Sequence, residues 1–194
     1  MSSLHLIDKQ IRQTNNSIHA IKLYPETADI LNDLSDVVKY LSITKERIER
    51  NAIFLLYSTC LESKKIKKDI AGVGDKLLIH LIPHIYDHFD KFSLKQINAF
   101  FGLNPISYES GTSVKKRDKI SKHGDSQILK LLYMSAVPAI RSNDILKQKY
   151  LRLKANGKPS KVALVAVMSH ILRAVIIKLA HYTKRALKNE KDRY

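Results

Sequence analysis

Residues Val162 to Tyr182 read VALVAVMSHILRAVIIKLAHY, the longest apolar run in the 194-residue chain. Its apolar side chains recur at helical spacing, which predicts one long helix. The run is long enough to span a bilayer, but His170, Arg173 and Lys178 interrupt it and basic residues flank both ends. We therefore predict that this segment is the buried core helix of a mainly α domain.

The overall composition supports a folded helical chain. Apolar residues make up 44% of the sequence, with only 6 glycines and 5 prolines, which argues against disorder and against a many-turned all-β fold. The single cysteine, Cys60, excludes an internal disulfide framework and a thiolate metal cage, as expected in a reducing compartment. The first residues lack an uninterrupted apolar stretch, so we expect no secretory signal.

The positive charge is confined to one half of the chain. Residues 1–90 hold 12 Lys and Arg against 12 Asp and Glu, whereas residues 91–194 hold 22 against 6. The second half therefore carries the whole formal net charge of +16. Such confinement is typical of a nucleic-acid-binding surface, and an anionic membrane surface is the weaker alternative.

The N-terminal third predicts two helices joined near Tyr24 and Pro25. Proline stops the first helix and suits the first turn of the next. Apolar residues at alternating spacings of 3 and 4, broken only by Thr14, define the first helix, and a heptad repeat defines the second. They are Leu4, Ile7, Ile11, Ile18 and Ile21, followed by Leu34, Leu41, Ile48 and Leu55, with a partial second stripe of Ile30, Val37 and Val38. An antiparallel helical hairpin and an intermolecular coiled coil are equally compatible with this pattern.

Two glycines mark a turn between the next two helical segments, at Gly72 and Gly74. The turn is similar to a helix-hairpin-helix turn, in which the exposed N–H groups of a helix N-terminus suit a phosphate. Lys76 adds a positive charge. The alternative is an ordinary interhelical turn.

Three histidines follow at helical spacing, His80, His84 and His88. On one helix they would share a face and could hold a metal. Pro83 lies within the spacing and would bend that helix, and the glutamate of a zinc-protease motif is absent. We predict no metal site here.

A helix over residues 92–101 precedes a long basic loop. Ser93 and Gln96 have the spacing of a capping box, and Gly102 ends the helix. The loop, residues 106–124, contains the hydroxyls of Ser110, Thr112 and Ser113. Its cations are Lys115, Lys116, Arg117, Lys119 and Lys122. By charge it would bind a phosphodiester, and the alternative is a mobile surface loop.

Three further helices are predicted, over residues 126–140, 143–155 and 160–187. The turn at residues 156–159 combines a capping glycine with a proline and exposes Lys158. We divide the chain into a helical coiled-coil segment (residues 1–65), a compact domain (66–187) and a frayed tail (188–194).

The order of the motifs is similar to that of a known family. They are Gly72-Val-Gly74, Asn98-Ala-Phe-Phe-Gly102-Leu-Asn-Pro105, Ser110-Gly111, Ile120-Ser-Lys-His-Gly124, and the stretch from Tyr150 through Gly157 to Ala166. Together they resemble the C-terminal transposase domain of bacterial insertion-sequence transposases related to the Piv pilin-gene invertase. The resemblance covers about residues 66–182, and the preceding helices look like the connecting coiled coil of that family.

The resemblance implies a specific chemistry. Family members pair a RuvC-like domain, whose acidic residues bind Mg²⁺, with a C-terminal domain that supplies a serine nucleophile from a Ser-Gly pair. Ser110 matches that serine, and Ser113 is the alternative. A serine hydroxyl needs activation to attack a phosphodiester, and cations neutralise the charge that develops on the phosphate.

The resemblance also implies partners and location. DNA is the expected partner, a structured guide RNA is a possible second one because some relatives use it, and a homo-oligomer would form through the coiled coil. The location would be the bacterial cytoplasm, associated with the nucleoid. The residues expected to bind DNA are Gly72, Gly74, Lys76, Lys115, Lys116, Arg117, Lys119, Lys122 and Lys158.

Two departures from the family pattern limit the expected activity. No segment before residue 66 alternates as the strands of a RuvC-like domain would. Leu129 before Lys130, and Ser169 with His170, stand where relatives usually carry basic pairs. We therefore expect a portion of a transposase, or the product of a truncated element, that binds DNA without recombining it alone. The alternatives are a non-catalytic nucleic-acid-binding protein and a coiled-coil interaction module with a basic tail.

Overall fold

The computed structural model describes residues 2–86, 93–106, 109–110, 114–115, 119–120 and 124–191. The fold is mainly α, as predicted, and the chain forms two compact units, Met1–Ser58 and Thr59–Tyr194. The predicted domain boundary after residue 65 falls inside a helix, Glu62–Asp69.

The first unit is a helical hairpin. Helix α1 (Ser2–Ile21) leads through a single 3-10 turn, Pro25–Thr27, into α2 (Ala28–Thr59). The Lys45 ammonium of α2 lies 2.6 Å from the Asp8 carboxylate of α1, which joins the two arms.

The heptad repeat of α2 is only partly used within this hairpin. Leu34, Leu41 and Ile48 are half-buried, whereas Leu55 is 61% exposed. The reason is length, because α1 has 20 residues and α2 has 32, so the last turns of α2 extend past the start of α1.

The second unit is built around one long helix. It contains α3 (Glu62–Asp69), α4 (Asp75–Ile85), α5 (Leu94–Phe100), α6 (Ser126–Ser142), α7 (Asp144–Ala155) and α8 (Ser160–Lys191). Helix α8 packs on α6 and α7, and also on α3 and α5. It extends beyond its predicted end near residue 187.

The apolar run of α8 is the centre of the core. Val167, Ile171, Leu172, Val175 and Leu179 are completely buried. The segment Ser160–Thr183 is long and apolar enough to cross a membrane, a property that it shares with the core helices of soluble proteins. Because these side chains are enclosed by neighbouring helices, the prediction of a core helix is confirmed.

Local capping signals explain where several helices begin. Ser93 and Gln96 form the predicted capping box at α5: the Gln96 N–H donates to the Ser93 hydroxyl and the Ser93 N–H donates to the Gln96 side chain. Asp125 caps α6 and Asn143 caps α7 through side-chain oxygens. Gly157, with φ +75°, ends α7.

The predicted basic loop contains paired strands. Strand β1 (Pro105–Ile106) pairs with β4 (Lys119–Ile120), and β2 (Glu109–Ser110) pairs with β3 (Val114–Lys115), both antiparallel. We call these four strands, residues 105–106, 109–110, 114–115 and 119–120, the ribbon. The sequence did not indicate these strands, because two-residue strands are too short to give a period-2 pattern.

Candidate nucleic-acid interface

The ribbon is joined to the helical core by two close backbone contacts. Gly102, with φ +70°, ends α5, and the Leu103 N–H donates to the Asn98 carbonyl at 2.8 Å. On the return side, a Cβ at Gly124 would lie 2.3 Å from the backbone of Phe101. Both ends of the ribbon are therefore held at the C-terminus of α5.

Ser110 lies near the far end of the ribbon. The register places it opposite Val114, so the two strands enclose a connection of three residues, 111–113. Lys115 stands opposite Glu109 and Lys119 opposite Ile106. Ser110 and Lys115 therefore belong to the β2–β3 pair, and Lys119 belongs to the β1–β4 pair. The other candidates of this region, Ser113, Lys116, Arg117 and Lys122, lie outside the described residues.

The Gly72–Gly74 turn connects α3 to α4, and its two glycines have different environments. Gly72 has φ +80°, and a Cβ there would lie 2.2 Å from the Ser135 carbonyl oxygen of α6. Gly74 has an extended backbone (φ −114°) and open space where a Cβ would stand. Gly72 is therefore required for the close packing of the turn on α6, a role independent of any ligand.

A carboxylate already occupies the N-terminus of α4. Asp75 is the first residue of this helix, where negative charge is favourable, and its carboxylate lies 2.7 Å from the Lys67 ammonium. Lys76 is exposed beside it. A phosphate bound at this turn would have to approach the negative charge of Asp75.

The described histidines do not form a metal site. His80 is buried and His84 is exposed, with its ring edge-on to Phe101 at 6.5 Å between centroids. His88 lies outside the described residues. Within the described ranges, no group of three His, Cys, Asp or Glu side chains could hold a metal ion.

The turn between α7 and α8 exposes Lys158, as predicted. The Lys158 N–H donates to the Leu153 carbonyl at 3.0 Å, and the Lys154 ammonium donates to the Ser160 hydroxyl at 2.9 Å. These contacts align α7 antiparallel to α8. Lys158 is distant from the ribbon in the sequence. It lies on a turn whose ends are held by these hydrogen bonds.

A buried asparagine connects the ribbon to α8. Asn98 on α5 is 4% exposed. With its amide oriented to satisfy its neighbours, its oxygen accepts from Arg173 Nη2 and Nε at 3.0 and 3.1 Å, and its nitrogen donates to the Ser169 hydroxyl at 3.0 Å. In the sequence, Asn98 is visible only as part of a motif, and Arg173 only as a charge that interrupts the apolar run. Their contact spans 75 positions, so local periodicity could not reveal it.

Comparison with known proteins finds a similarity within the second unit. Residues 65–151 match the model of the transposase family IS116/IS110/IS902. The matched segment contains α4, α5, the ribbon, α6 and most of α7, so this part of the chain is similar to a transposase domain.

Two curated relatives are pilin gene-inverting proteins. Those of Moraxella bovis and Moraxella lacunata are each 32% identical to this chain over 104 residues, which is 53% of the chain and 32% of the relative. The aligned region is therefore about a third of the length of these relatives. The resemblance to insertion-sequence transposases related to the pilin-gene invertase is confirmed.

Proposed function

We propose that this chain is the DNA-binding and serine-nucleophile part of an insertion-sequence transposase or recombinase. The observation that supports the proposal most directly is the ribbon: Ser110, the match to the family serine, lies at its far end, and Lys115 and Lys119 lie on its return strands. The base of the ribbon is held by Gly102 and Gly124, which gives the nucleophile a defined position relative to the helical core.

The proposed reaction is a transesterification. The Ser110 hydroxyl oxygen forms a bond to phosphorus while one phosphorus–oxygen bond to deoxyribose breaks. The proton released by serine is balanced by the proton taken up by the leaving sugar hydroxyl. The step replaces the phosphate ester to deoxyribose with a phosphate ester to serine, so the number of ester bonds is unchanged. The hydroxyl of a free strand end can therefore attack the phosphoserine, reverse the step and rejoin the DNA. Nearby cations stabilise the charge that develops on the phosphate.

The residues that bind catalytic Mg²⁺ would belong to the RuvC-like domain that the resemblance implies. The described residues offer no set of three ligands for Mg²⁺, so we derive no step through a metal ion in this chain. When bound in that domain, Mg²⁺ would lower the pKa of a hydroxyl and stabilise phosphate charge. The part of this chain is to bind the backbone and to present the serine.

The decisive test is a covalent adduct between protein and DNA. The chain, with a RuvC-like domain supplied, is incubated with labelled DNA carrying the ends of the element, and adducts that resist denaturant are scored. Ser110→Ala should abolish the adduct and leave DNA affinity nearly unchanged. Ser113→Ala is the matched control three residues away and should retain the adduct.

The opposite pattern, with the adduct lost only in Ser113→Ala, would transfer the nucleophile to Ser113. Complexes that dissociate fully in denaturant under all conditions would support the alternative function, a non-catalytic nucleic-acid-binding remnant. The confinement of the net charge to residues 91–194 supports binding under either function.

Two further partners belong to the proposal. A structured RNA could occupy the same basic surface, and competition between RNA and duplex DNA would reveal it. A second copy of the chain could pack on α2, because the apolar side chains of Ile30, Val37 and Leu55 are exposed. Their continuation of the heptad pattern supports self-association through the first unit.

A further inference from the structure

A cluster of positive charge lies on α7 and α8, outside the residues assigned above. The antiparallel arrangement of these helices brings the Lys149 ammonium within 3.4 Å of His170 Nδ1. A hydrogen bond donated by the ammonium across this distance would need an Nδ1 that carries no proton. Arg152 lies one turn beyond Lys149, and Arg173 one turn beyond His170. We call these four residues the cationic cluster.

The positive groups of the cationic cluster repel one another, and no described carboxylate balances their charge. Partial burial lowers the pKa of Lys149, and the charges of Arg173 and Arg152 lower it further. Burial also lowers the pKa of His170. The positive charges of Lys149 and Arg173 lower the same pKa by smaller amounts. Among the described residues, no carboxylate forms an ion pair with any member of the cluster. An anion at this place would relieve the repulsion between these groups.

One member of the cluster is held in a fixed position. Two nitrogens of Arg173 donate to the Asn98 side chain, and its Nη2 also lies 3.2 Å from the Ser169 hydroxyl. The backbone carbonyl of Asn98 accepts the Leu103 N–H at the base of the ribbon. Asn98 therefore holds the guanidinium through its side chain, and its backbone belongs to the turn from which the ribbon starts.

We propose that Lys149, His170 and Arg173, with Arg152 beside them, bind a phosphate group of the nucleic-acid backbone next to the base of the ribbon. The ligand is a phosphodiester of the strand whose neighbouring segment reaches the ribbon. This inference rests on the proposed function, because it extends the DNA-binding surface. Asn98 and Ser169 are positioning residues that orient Arg173.

Phosphate binding at this place should be coupled to proton uptake. The charged groups that act on His170 are Lys149 on α7 and Arg173 on α8, and both disfavour the imidazolium. A bound phosphate opposes them and raises the pKa of His170, so the imidazole gains a proton in the complex. Affinity for DNA should therefore increase as the pH falls through the region in which His170 titrates.

The test measures binding of the full chain to a labelled duplex of arbitrary sequence at several salt concentrations. Lys149→Gln and Arg173→Gln should each lower affinity roughly tenfold and reduce the slope of log affinity against log salt by about one, as expected for one lost phosphate contact. Lys147→Gln is the matched control, because it removes one exposed charge from the same helix. It should change affinity less than about twofold.

Two measurements keep the outcome interpretable. Circular dichroism melting checks that each variant is folded, and Lys149→Gln leaves the Asn98–Arg173 contact intact if Arg173→Gln proves unstable. His170→Gln should remove the extra gain in affinity at lower pH that the unmodified chain shows.

Two results would overturn the inference in different ways. Steep salt dependence in the unmodified chain, with Lys149→Gln and Arg173→Gln no different from Lys147→Gln, would exclude the phosphate site and leave the proposed function standing. A lack of salt-dependent binding by the unmodified chain would contradict the proposed function, and the inference with it.

Discussion

Two residues of this chain pack against distant helices and also lie next to a proposed binding site. Gly72 is the clearest case, because both its φ of +80° and the space beside Ser135 exclude a side chain. Asn98 is a second case, since a buried amide satisfies Arg173 and Ser169 together. Each residue is explained by contacts with a distant helix, and neither needs a bound ligand to account for its identity.

The two glycines of the α3–α4 turn provide a matched test at the residue scale. Gly72→Ala should lower the free energy of unfolding by roughly 2–4 kcal/mol, because a left-handed backbone and overpacking against α6 both penalise the methyl group. Gly74→Ala should change it by less than about 1 kcal/mol, since that position has ordinary φ and open space. Urea unfolding followed by circular dichroism measures both. Equal effects of the two substitutions would contradict the packing role of Gly72.

At the scale of elements, the end of α3 is tied to α8 by an exposed polar cluster. The Asp69 carboxylate accepts from the Lys178 ammonium at 2.7 Å and from the Tyr182 hydroxyl. Both hydrogen bonds lower the pKa of Asp69, and the one from Lys178 has the larger effect. The same hydrogen bond raises the pKa of Lys178. The short helix α3 is thereby held against the core helix.

This contact predicts a pH-dependent difference in stability. Because the pKa of Asp69 is lower in the folded state, its contribution is complete above the unfolded pKa and is lost as the pH falls through the folded pKa. Asp69→Asn should lower the melting temperature near neutral pH, and the difference from the unmodified chain should shrink as the pH falls through the lowered folded-state pKa of Asp69. Asp144→Asn, an exposed carboxylate on α7, serves as the control. A difference that stays constant into acid would refute the assignment.

At the scale of the whole molecule, the net charge is divided unequally. All of the excess positive charge belongs to the second half of the sequence. Exposed apolar side chains occur in both units, and those of α2 include Ile30, Val37 and Leu55. The uneven charge agrees with the proposal that the second unit binds nucleic acid.

Self-association can be tested on the exposed stripe of α2. Val37→Glu should weaken the proposed oligomer at least about tenfold, because a buried carboxylate without a partner is costly. Light scattering over a range of concentrations measures the assembly. Asn32→Glu adds the same charge at an exposed position of α2 away from the stripe and should leave assembly unchanged. A monomeric unmodified chain would remove this part of the proposal.

The sequence alone determined the features that depend on local chemistry. The helices, the capping box at Ser93, the glycine at the end of α7 and the core role of Val162 to Tyr182 all follow from apolar periodicity and from side chains that bond within one turn. The order of short motifs was also sufficient to indicate the transposase family, because that order is itself a property of the sequence. The role of Ser110 remains a prediction.

The tertiary structure alone decided the features that join distant residues. The pairing of the ribbon strands, the fit of Gly72 against α6, the contact of Asn98 with Arg173 and the cationic cluster on α7 and α8 each depend on how helices pack. Periodicity reports which face of an element is buried, but it carries no information on which distant residue lies against that face. Two-residue strands and contacts across 75 positions leave no local pattern, so only the folded chain brings them together.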